Sequence, residues 1–170
     1  MSRADAAARA LIDQYGLGTL PVDPEKVAAN LGATVIQQPG PAELSGMLLR
    51  RNNTVAIGIN EDLSTDRQRF VVAHLIGHLR LHRSRELILD TAARYRYGSL
   101  SSMPTDREEA EANRFAAALL APEAVVRRVA KEIDADTADQ MVDLLASQFQ
   151  LTRTAMTYRL MSLGITLDAG

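Results

Sequence analysis

In the first part of the chain, apolar residues recur with the spacing of amphipathic helices, and a turn separates two such segments. Residues 3–15 put their apolar side chains on one side of a predicted helix. A second, short helix is predicted within PVDPEKVAANLG. There Asp23 caps the helix, Pro24 occupies its first position and Gly32 ends it.

Three short runs of β-branched or apolar residues follow, ATVIQ, SGMLLR and NTVAIGIN. The segment QPGPAE separates the first two runs, and RNN forms a tight hairpin between the last two. This pattern predicts a small, mostly antiparallel sheet.

The second half of the chain predicts helices. Thr65–Gln68 has the form of a capping box, so a helix is predicted to begin near Asp66. Thr105–Glu108 is a second capping box and opens the helix DREEAEANRFAAALLAP. Pro122 starts another predicted helix, which runs to about Ile133.

The stretch 84–104 has a mixed pattern, and its segment RYRYGSLSSMP predicts a loop. The tail predicts two helices with a break near Leu151–Thr152. Together these elements indicate an α+β fold. Residues 1–133 form its main domain, and a helical, helix-turn-helix-like element over residues 134–168 packs on that domain.

Composition narrows the class of protein. With 170 residues, the chain is long enough for one domain with a proper core. Its net charge of −2 predicts neither a nucleic-acid coat nor a polybasic membrane surface. Cysteine is absent, which excludes disulfides and thiolate metal sites. The N-terminal stretch lacks the apolar core of a signal peptide, and no apolar run has membrane-helix length. We therefore expect a soluble, cytoplasmic protein.

Candidate metal chemistry begins with His74 and His78 in the segment FVVAHLIGHLRLH. Residues four apart lie on one face of a helix, about 6 Å apart along its axis, so two imidazoles can converge on one ion. Gly77 between them costs about 1 kcal/mol of helix stability relative to alanine, which makes sense where another backbone passes close by. The spacing alone also fits two histidines without a metal.

A third ligand has to come from elsewhere in the chain. His82 lies about 12 Å from His74 along the helix, too far for both to bind one ion. In DREEAEANRFAAALL, Glu108 and Glu109 both lie near the edge of the apolar stripe, whereas Glu111 points away from it. Glu108 has a capping role, and an inward Glu109 would need a partner such as a metal ion. The alternative is a solvated first turn that favours the helix dipole.

Several segments, in this order, resemble the ImmA/IrrE family of zinc metallopeptidase-like proteins. LSGMLL followed by VAIGIN resembles the central hairpin of that family, and RQRFVVAHLIGHLRLH is similar to its active-site helix. EAEANRFAAALLAP resembles its Glu-x-x-Ala-Asn-x-Phe-Ala-x-x-Leu-Leu-x-Pro segment, and LASQFQLTRTAMTYRLMSLGI its C-terminal helical element.

The resemblance implies a compact zincin-like fold, with a small sheet beside the metal helix and the glutamate helix packed against it. It implies zinc as the cofactor, with His74, His78 and Glu109 as ligands. It also implies a protein partner, a helix-turn-helix transcriptional repressor, because known members act on such repressors in phage or mobile-element control and in stress responses.

Leu75 departs from the family pattern, which has glutamate directly after the first histidine as the general base. A missing general base typically costs roughly 10²–10⁴-fold in rate. Weak or lost catalysis is therefore expected, with no catalytic residue assigned. Another carboxylate such as Glu108 or Glu111 could substitute only if the fold swings it over the zinc. An active zinc endopeptidase with a base that the sequence does not reveal is the alternative.

The C-terminal element has the rhythm of a helix-turn-helix, so a DNA-binding regulator is a second alternative. Its charge argues against DNA, since phosphates are neutralised by Lys and Arg. From residue 132 to the end, two arginines and six acids give a net charge of −4: Arg153, Arg159, Glu132, Asp134, Asp136, Asp139, Asp143 and Asp168. No direct DNA binding is expected. A basic run elsewhere predicts a solvated face: Arg80, Arg83, Arg85, Arg94 and Arg96.

Overall fold

The structure is a computed structural model that describes residues 1–91 and 103–166. The predicted α+β class is confirmed. In the described residues the elements are, in chain order, α1 (Arg3–Tyr15), α2 (Pro24–Asn30), β1 (Ala33–Gln38), β2 (Leu44–Arg51), β3 (Thr54–Asn60), α3 (Thr65–Leu81), β4 (Leu87–Thr91), α4 (Asp106–Leu120), α5 (Glu123–Glu132), α6 (Ala138–Phe149) and α7 (Arg153–Ser162).

The strands of the described residues form one mixed sheet in the order β1-β3-β2-β4. β2 is antiparallel to both β3 and β4, as the sequence predicts for most of the sheet, whereas β1 runs parallel to β3. The predicted hairpin turns at Asn52 and Asn53, whose φ angles of 49° and 62° suit a two-residue turn between twisted strands.

Strand β4 was not predicted from the sequence. It lies in the stretch with a mixed pattern, and its short run of residues gains strand structure by pairing with β2, a long-range contact. The predicted loop RYRYGSLSSMP lies outside the described residues, apart from its last two residues.

The main core lies between one face of the sheet and helix α3. Leu48, Ile57 and Ile88 are neighbours in the strand register, and all three are fully buried. On the opposite face, Ile36 and Leu49 are 48% and 36% exposed. Helix α3 contacts β2, β3 and β4, so the sheet determines where the residues of α3 lie.

The start of α3 differs from the prediction by one residue. Ser64 is its N-cap, and the capping box predicted at Thr65–Gln68 is wrong. Instead, the Gln68 side chain donates hydrogen bonds to the backbone oxygens of Glu61 and Leu63, at 3.1 and 2.8 Å. Gln68 therefore holds the preceding turn, and the Ser64 hydroxyl satisfies the first turn of the helix.

Two other predicted caps are confirmed. Thr105 and Glu108 form a reciprocal capping box at the start of α4. Thr152 caps α7, where its hydroxyl accepts a hydrogen bond from the backbone N–H of Ala155 at 3.2 Å. These caps depend on residues three apart in the sequence, which explains why the sequence alone reveals them.

Helices α3 and α4 approach closely at Gly77. A Cβ atom added there would lie 3.1 Å from both Ala112 Cα and Phe115 Cδ1. The interpretation that another backbone passes close to Gly77 is therefore confirmed. This close approach brings the α4 side chains near those of α3.

The C-terminal helices contact the rest of the protein in two places, where α7 packs against α4 and α6 packs against α5. Arg159 on α7 is buried, and its Nε donates a hydrogen bond to Ala121 O at 2.9 Å. The division into residues 1–133 and 134–168 stays a prediction. No helix in the described residues is both long enough and apolar enough to cross a membrane.

Candidate metal centre

The two histidines of the α3 motif are buried and face each other. His74 and His78 lie one turn apart on α3, with 3% and 0% of their surfaces exposed. Their Nε2 atoms are 3.2 Å apart. The i, i+4 spacing on a regular helix produces this convergence, as the sequence indicates.

Helix α4 brings Glu109 to the same point. Its Oε1 lies 3.0 Å from His78 Nε2, and its Oε2 lies 3.5 Å from His74 Nε2. The ligand atoms of these three residues all lie within 4.8 Å of one another, so the three could hold one metal ion. The structure thus brings together the three residues that the resemblance implies as ligands.

Glu108, the neighbouring candidate, is engaged elsewhere. Its carboxylate accepts two hydrogen bonds from Arg85 Nη1, at 2.6 and 2.7 Å, and a third from Thr105 N at 2.7 Å. The prediction of a solvated basic face is wrong for Arg85, whose side chain is only 19% exposed in this pair. Arg94 and Arg96 of the same run lie outside the described residues.

His82 and Glu111 form a hydrogen-bonded chain behind His78. His78 Nδ1 lies 2.9 Å from His82 Nδ1, and His82 Nε2 lies 2.9 Å from Glu111 Oε2. His82 remains outside the group of three, as predicted. The role of Glu111 was not predicted from the sequence, because a helical wheel shows only that this residue points away from the apolar stripe of α4. The sequence did contain one indication of this chain, because the spacing of four puts His78 and His82 on the same face of α3.

Asn113 has the equivalent position behind His74, with its Oδ1 2.8 Å from His74 Nδ1. A role of Asn113 at the site was not predicted from the sequence. When both Nδ1 atoms carry the proton and donate outward, to Asn113 and to His82, both Nε2 lone pairs point at the common centre. Outer partners of this kind orient metal-binding histidines.

The electrostatics of the three residues favour a negative Glu109 beside the histidines. Burial alone would raise the pKa of Glu109, but hydrogen bonds from His74 and His78 outweigh it and lower the pKa. Burial lowers the pKa of His78, and the neighbouring histidines add to that effect. Burial also opposes protonation of His74, but the hydrogen bond to Glu109 and the charge of Asp90 raise its pKa.

The donor set fits a metal ion. Two imidazole nitrogens and one carboxylate are a ligand set of catalytic zinc sites, in which a fourth position stays open for water or substrate. Metal binding requires an ionised Glu109 and two neutral histidines, so an ion would have to displace the proton that the raised pKa of His74 favours. The outer hydrogen bonds of both histidines complete the fit.

A cavity of about 650 Å³ opens beside His74, one of the three residues. Its wall includes His74 and Asn113 from the candidate centre, Arg67 from the start of α3, and Tyr158 from α7. Asp90 of β4, which the sequence analysis did not single out, also lines it. The cavity gives a ligand access to the His74 side of the centre.

Leu75 is fully buried and belongs to the hydrophobic core, and it is absent from the residues that line the cavity. A Cβ atom added at Gly46 would lie 3.1 Å from Leu75 Cδ1 and 2.8 Å from Val71 Cγ1. Leu75 therefore packs against strand β2, where its side chain offers no group that exchanges a proton.

The family model Peptidase_M78, described as an IrrE N-terminal-like domain, matches residues 28–161. This range contains all three residues of the candidate centre. Among curated proteins, no sequence matches the chain.

Proposed function

Because this chain belongs to the Peptidase_M78 family, the IrrE N-terminal-like domains, we propose that it is a zinc-binding regulator in which peptide hydrolysis is weak or lost. The partner that we propose is a helix-turn-helix transcriptional repressor. With such a partner, and without cysteines, the protein would act in the cytoplasm.

The observation that carries this proposal is the convergence of His74, His78 and Glu109. These residues come from two helices, and their ligand atoms lie within 4.8 Å of one another. We assign all three as zinc ligands. When bound in such a site, zinc acidifies water and polarises a carbonyl group.

Leu75 supports the second half of the proposal, the weak hydrolysis. It occupies the position of the family's general base, and its side chain packs in the core beside Gly46. The carboxylates considered as substitutes, Glu108 and Glu111, are held by Arg85 and His82. Neither carboxylate is free to turn toward the metal. The roughly 10²–10⁴-fold increase in rate that a general base at position 75 would give is therefore absent.

A protein partner is favoured over DNA by the state of the C-terminal arginines. Arg153 pairs with Asp139 and Asp143, and Arg159 is buried against Ala121. The charge of Arg153 is offset by two acids and Arg159 is buried, so this element offers little positive charge to phosphates. The rival function as a DNA-binding regulator therefore lacks a cationic surface on this element.

Three measurements test the proposed function. Elemental analysis of zinc-loaded, dialysed protein should give about one zinc ion per chain. Purified helix-turn-helix repressor encoded beside this protein should form a complex with it, and should be cleaved slowly at most, with zinc and not with chelator. Protein that retains no zinc would contradict the metal assignment. Binding to random duplex DNA at moderate salt, with loss at high salt, would support the DNA-binding alternative instead.

A further inference from the structure

Asp90 is a carboxylate in the cavity whose position the proposed function does not use. It lies on β4, which forms the edge of the sheet beside α3, and it lines the same cavity as His74. No hydrogen bond or ion pair joins its side chain to another residue of the described chain. Asp90 is partly exposed and lines the cavity, so its carboxylate is available to a ligand or to water there.

The register of the sheet places Asp90 opposite Gly46 of β2. Asp90 pairs with Gly46 across β2 and β4, and residues paired in this way point to the same face of a sheet. Gly46 is the point on β2 against which Leu75 packs. Asp90 and Leu75 therefore both lie beside Gly46, one from the neighbouring strand and one from the helix.

Asp90 is near the candidate ligands but is not one of them. It is not in the group whose ligand atoms lie within 4.8 Å of one another, so it is not placed as a further ligand. Yet it is close enough to interact electrostatically with His74, Glu109 and Arg67, the charged groups that face it from α3 and α4. A carboxylate in the cavity that His74 also lines can accept a proton from water that attacks a substrate there.

We propose that Asp90 supplies the carboxylate that α3 lacks and carries the residual peptide hydrolysis. An Asp90 oxygen takes one proton from the attacking water, whose oxygen forms a bond to the carbonyl carbon of the scissile peptide. As the C–N bond breaks, the same proton passes from Asp90 to the leaving nitrogen. Water is consumed, and a carboxylic acid and an amine are formed, with no other reactant. This inference rests on the proposed zinc site.

The first test uses acetohydroxamic acid, which loses its hydroxyl proton when it binds a metal in such a site. Zinc-loaded wild type, Asp90→Asn and Asp90→Glu are titrated by calorimetry in buffers of different ionisation enthalpy, below the pKa of the acid. Wild type should release almost no proton to the buffer, because Asp90 takes it. Asp90→Asn should release about one proton and bind about 10-fold more weakly, and Asp90→Glu should behave like wild type. Asp62→Asn, which changes an exposed acid before α3, is the matched control and should not differ from wild type.

The second test measures cleavage of the repressor partner. Asp90→Asn should lower zinc-dependent cleavage about 100-fold in the wild-type background and much less in a Leu75→Glu background, where a second base is present. Equal proton release by wild type and Asp90→Asn, or equal cleavage by both, would overturn the proposal. If zinc fails to bind to wild type, the proposed function itself fails. Lower zinc affinity in Asp90→Asn would show that Asp90 is a ligand instead.

Discussion

Two flanks of helix α3 are both buried but are built in opposite ways. The flank that faces α4 carries His74 and His78, and polar partners continue behind each imidazole. The flank that faces β2 carries Val71 and Leu75, which pack against Gly46. The comparison shows that the metal ligands and the position of the missing base depend on different neighbours. One can therefore change while the other is kept.

The two flanks are also stabilised differently, one by hydrogen bonds between buried polar groups and the other by burial of apolar side chains. Buried polar groups are costly unless they are hydrogen-bonded, and in the described residues every fully buried side-chain nitrogen or oxygen has a partner. On the apolar flank, a buried leucine contributes free energy through transfer from water and tight packing, typically about 2–5 kcal/mol by truncation to alanine. A change on the polar flank should alter metal binding, and a change on the apolar flank should alter stability first.

The largest effects are expected from Leu75→Glu, which would make the apolar flank polar. The free energy of unfolding of metal-free protein should fall by about 3 kcal/mol or more, because a carboxylate would be buried without a partner. Zinc should restore part of that loss. Cleavage of the repressor partner should rise, by up to roughly 10²–10⁴-fold where the new side chain reaches the site.

Urea unfolding with and without zinc, together with a cleavage assay, measures both effects of this change. Leu75→Met, which nearly conserves volume, is the control and should change stability little. If metal-free Leu75→Glu is as stable as wild type, the side chain at position 75 is not buried away from water. Equal, zinc-dependent cleavage by wild type and Leu75→Glu would show that the base already present in wild type is as effective as a glutamate at position 75.

The next largest effect should come from Glu109→Gln on the polar flank. Glutamine keeps the shape but removes the charge that holds both histidines, so zinc affinity should fall by about 100-fold or more, exceeding the range typical of outer partners. Glu108→Gln, one residue away, is the matched control, since Glu108 contacts Arg85 and not the histidines. Competition with a zinc chelator measures both variants. Full affinity in Glu109→Gln would mean that this carboxylate is not a ligand.

A smaller effect is expected one layer further out, at His82. His82→Ala removes the acceptor for His78 Nδ1 and breaks the connection to Glu111, so zinc affinity should fall about 10-fold. Glu111→Gln should have a milder effect in the same direction, since its amide oxygen still accepts a hydrogen bond from His82. If folded His82→Ala binds zinc as tightly as wild type does, the residues behind the ligands do not contribute to zinc affinity.

The smallest effect, and the one with a pH signature, belongs to Glu108, which lies outside both flanks. Hydrogen bonds from Thr105 and Arg85 outweigh burial and lower its pKa to about 2, so the folded state favours the ionised form. Its contribution is therefore present above about pH 4.5 and is lost as the pH falls toward 2. Glu108→Gln should reduce stability by about 1 kcal/mol at neutral pH. Thermal unfolding of both proteins should converge at low pH, and a difference that persists there would exclude an ionic origin.

Local sequence determined much of the fold. Asp23, Thr105 and Thr152 cap their helices through residues two or three positions away, and Asn52 and Asn53 allow the tight hairpin through their own backbone angles. The periodicity of α3 and α4 likewise puts His74 and His78 on one face, and leaves Glu108 or Glu109 near the edge of the other helix. Each of these features depends on interactions within one or two turns of chain, which a sequence displays directly.

Tertiary structure decided the remainder. The parallel pairing of β1 with β3, strand β4 itself and the contact of Asp90 with the cavity all require segments far apart in the chain to meet. The choice of Ser64 as the cap of α3 depended on where Gln68 found its partners, in the preceding turn. The connection from His78 through His82 to Glu111 joins two helices, so no single helical wheel contains it. Distance and direction between elements are set by packing, and packing is what a linear pattern of residues leaves open.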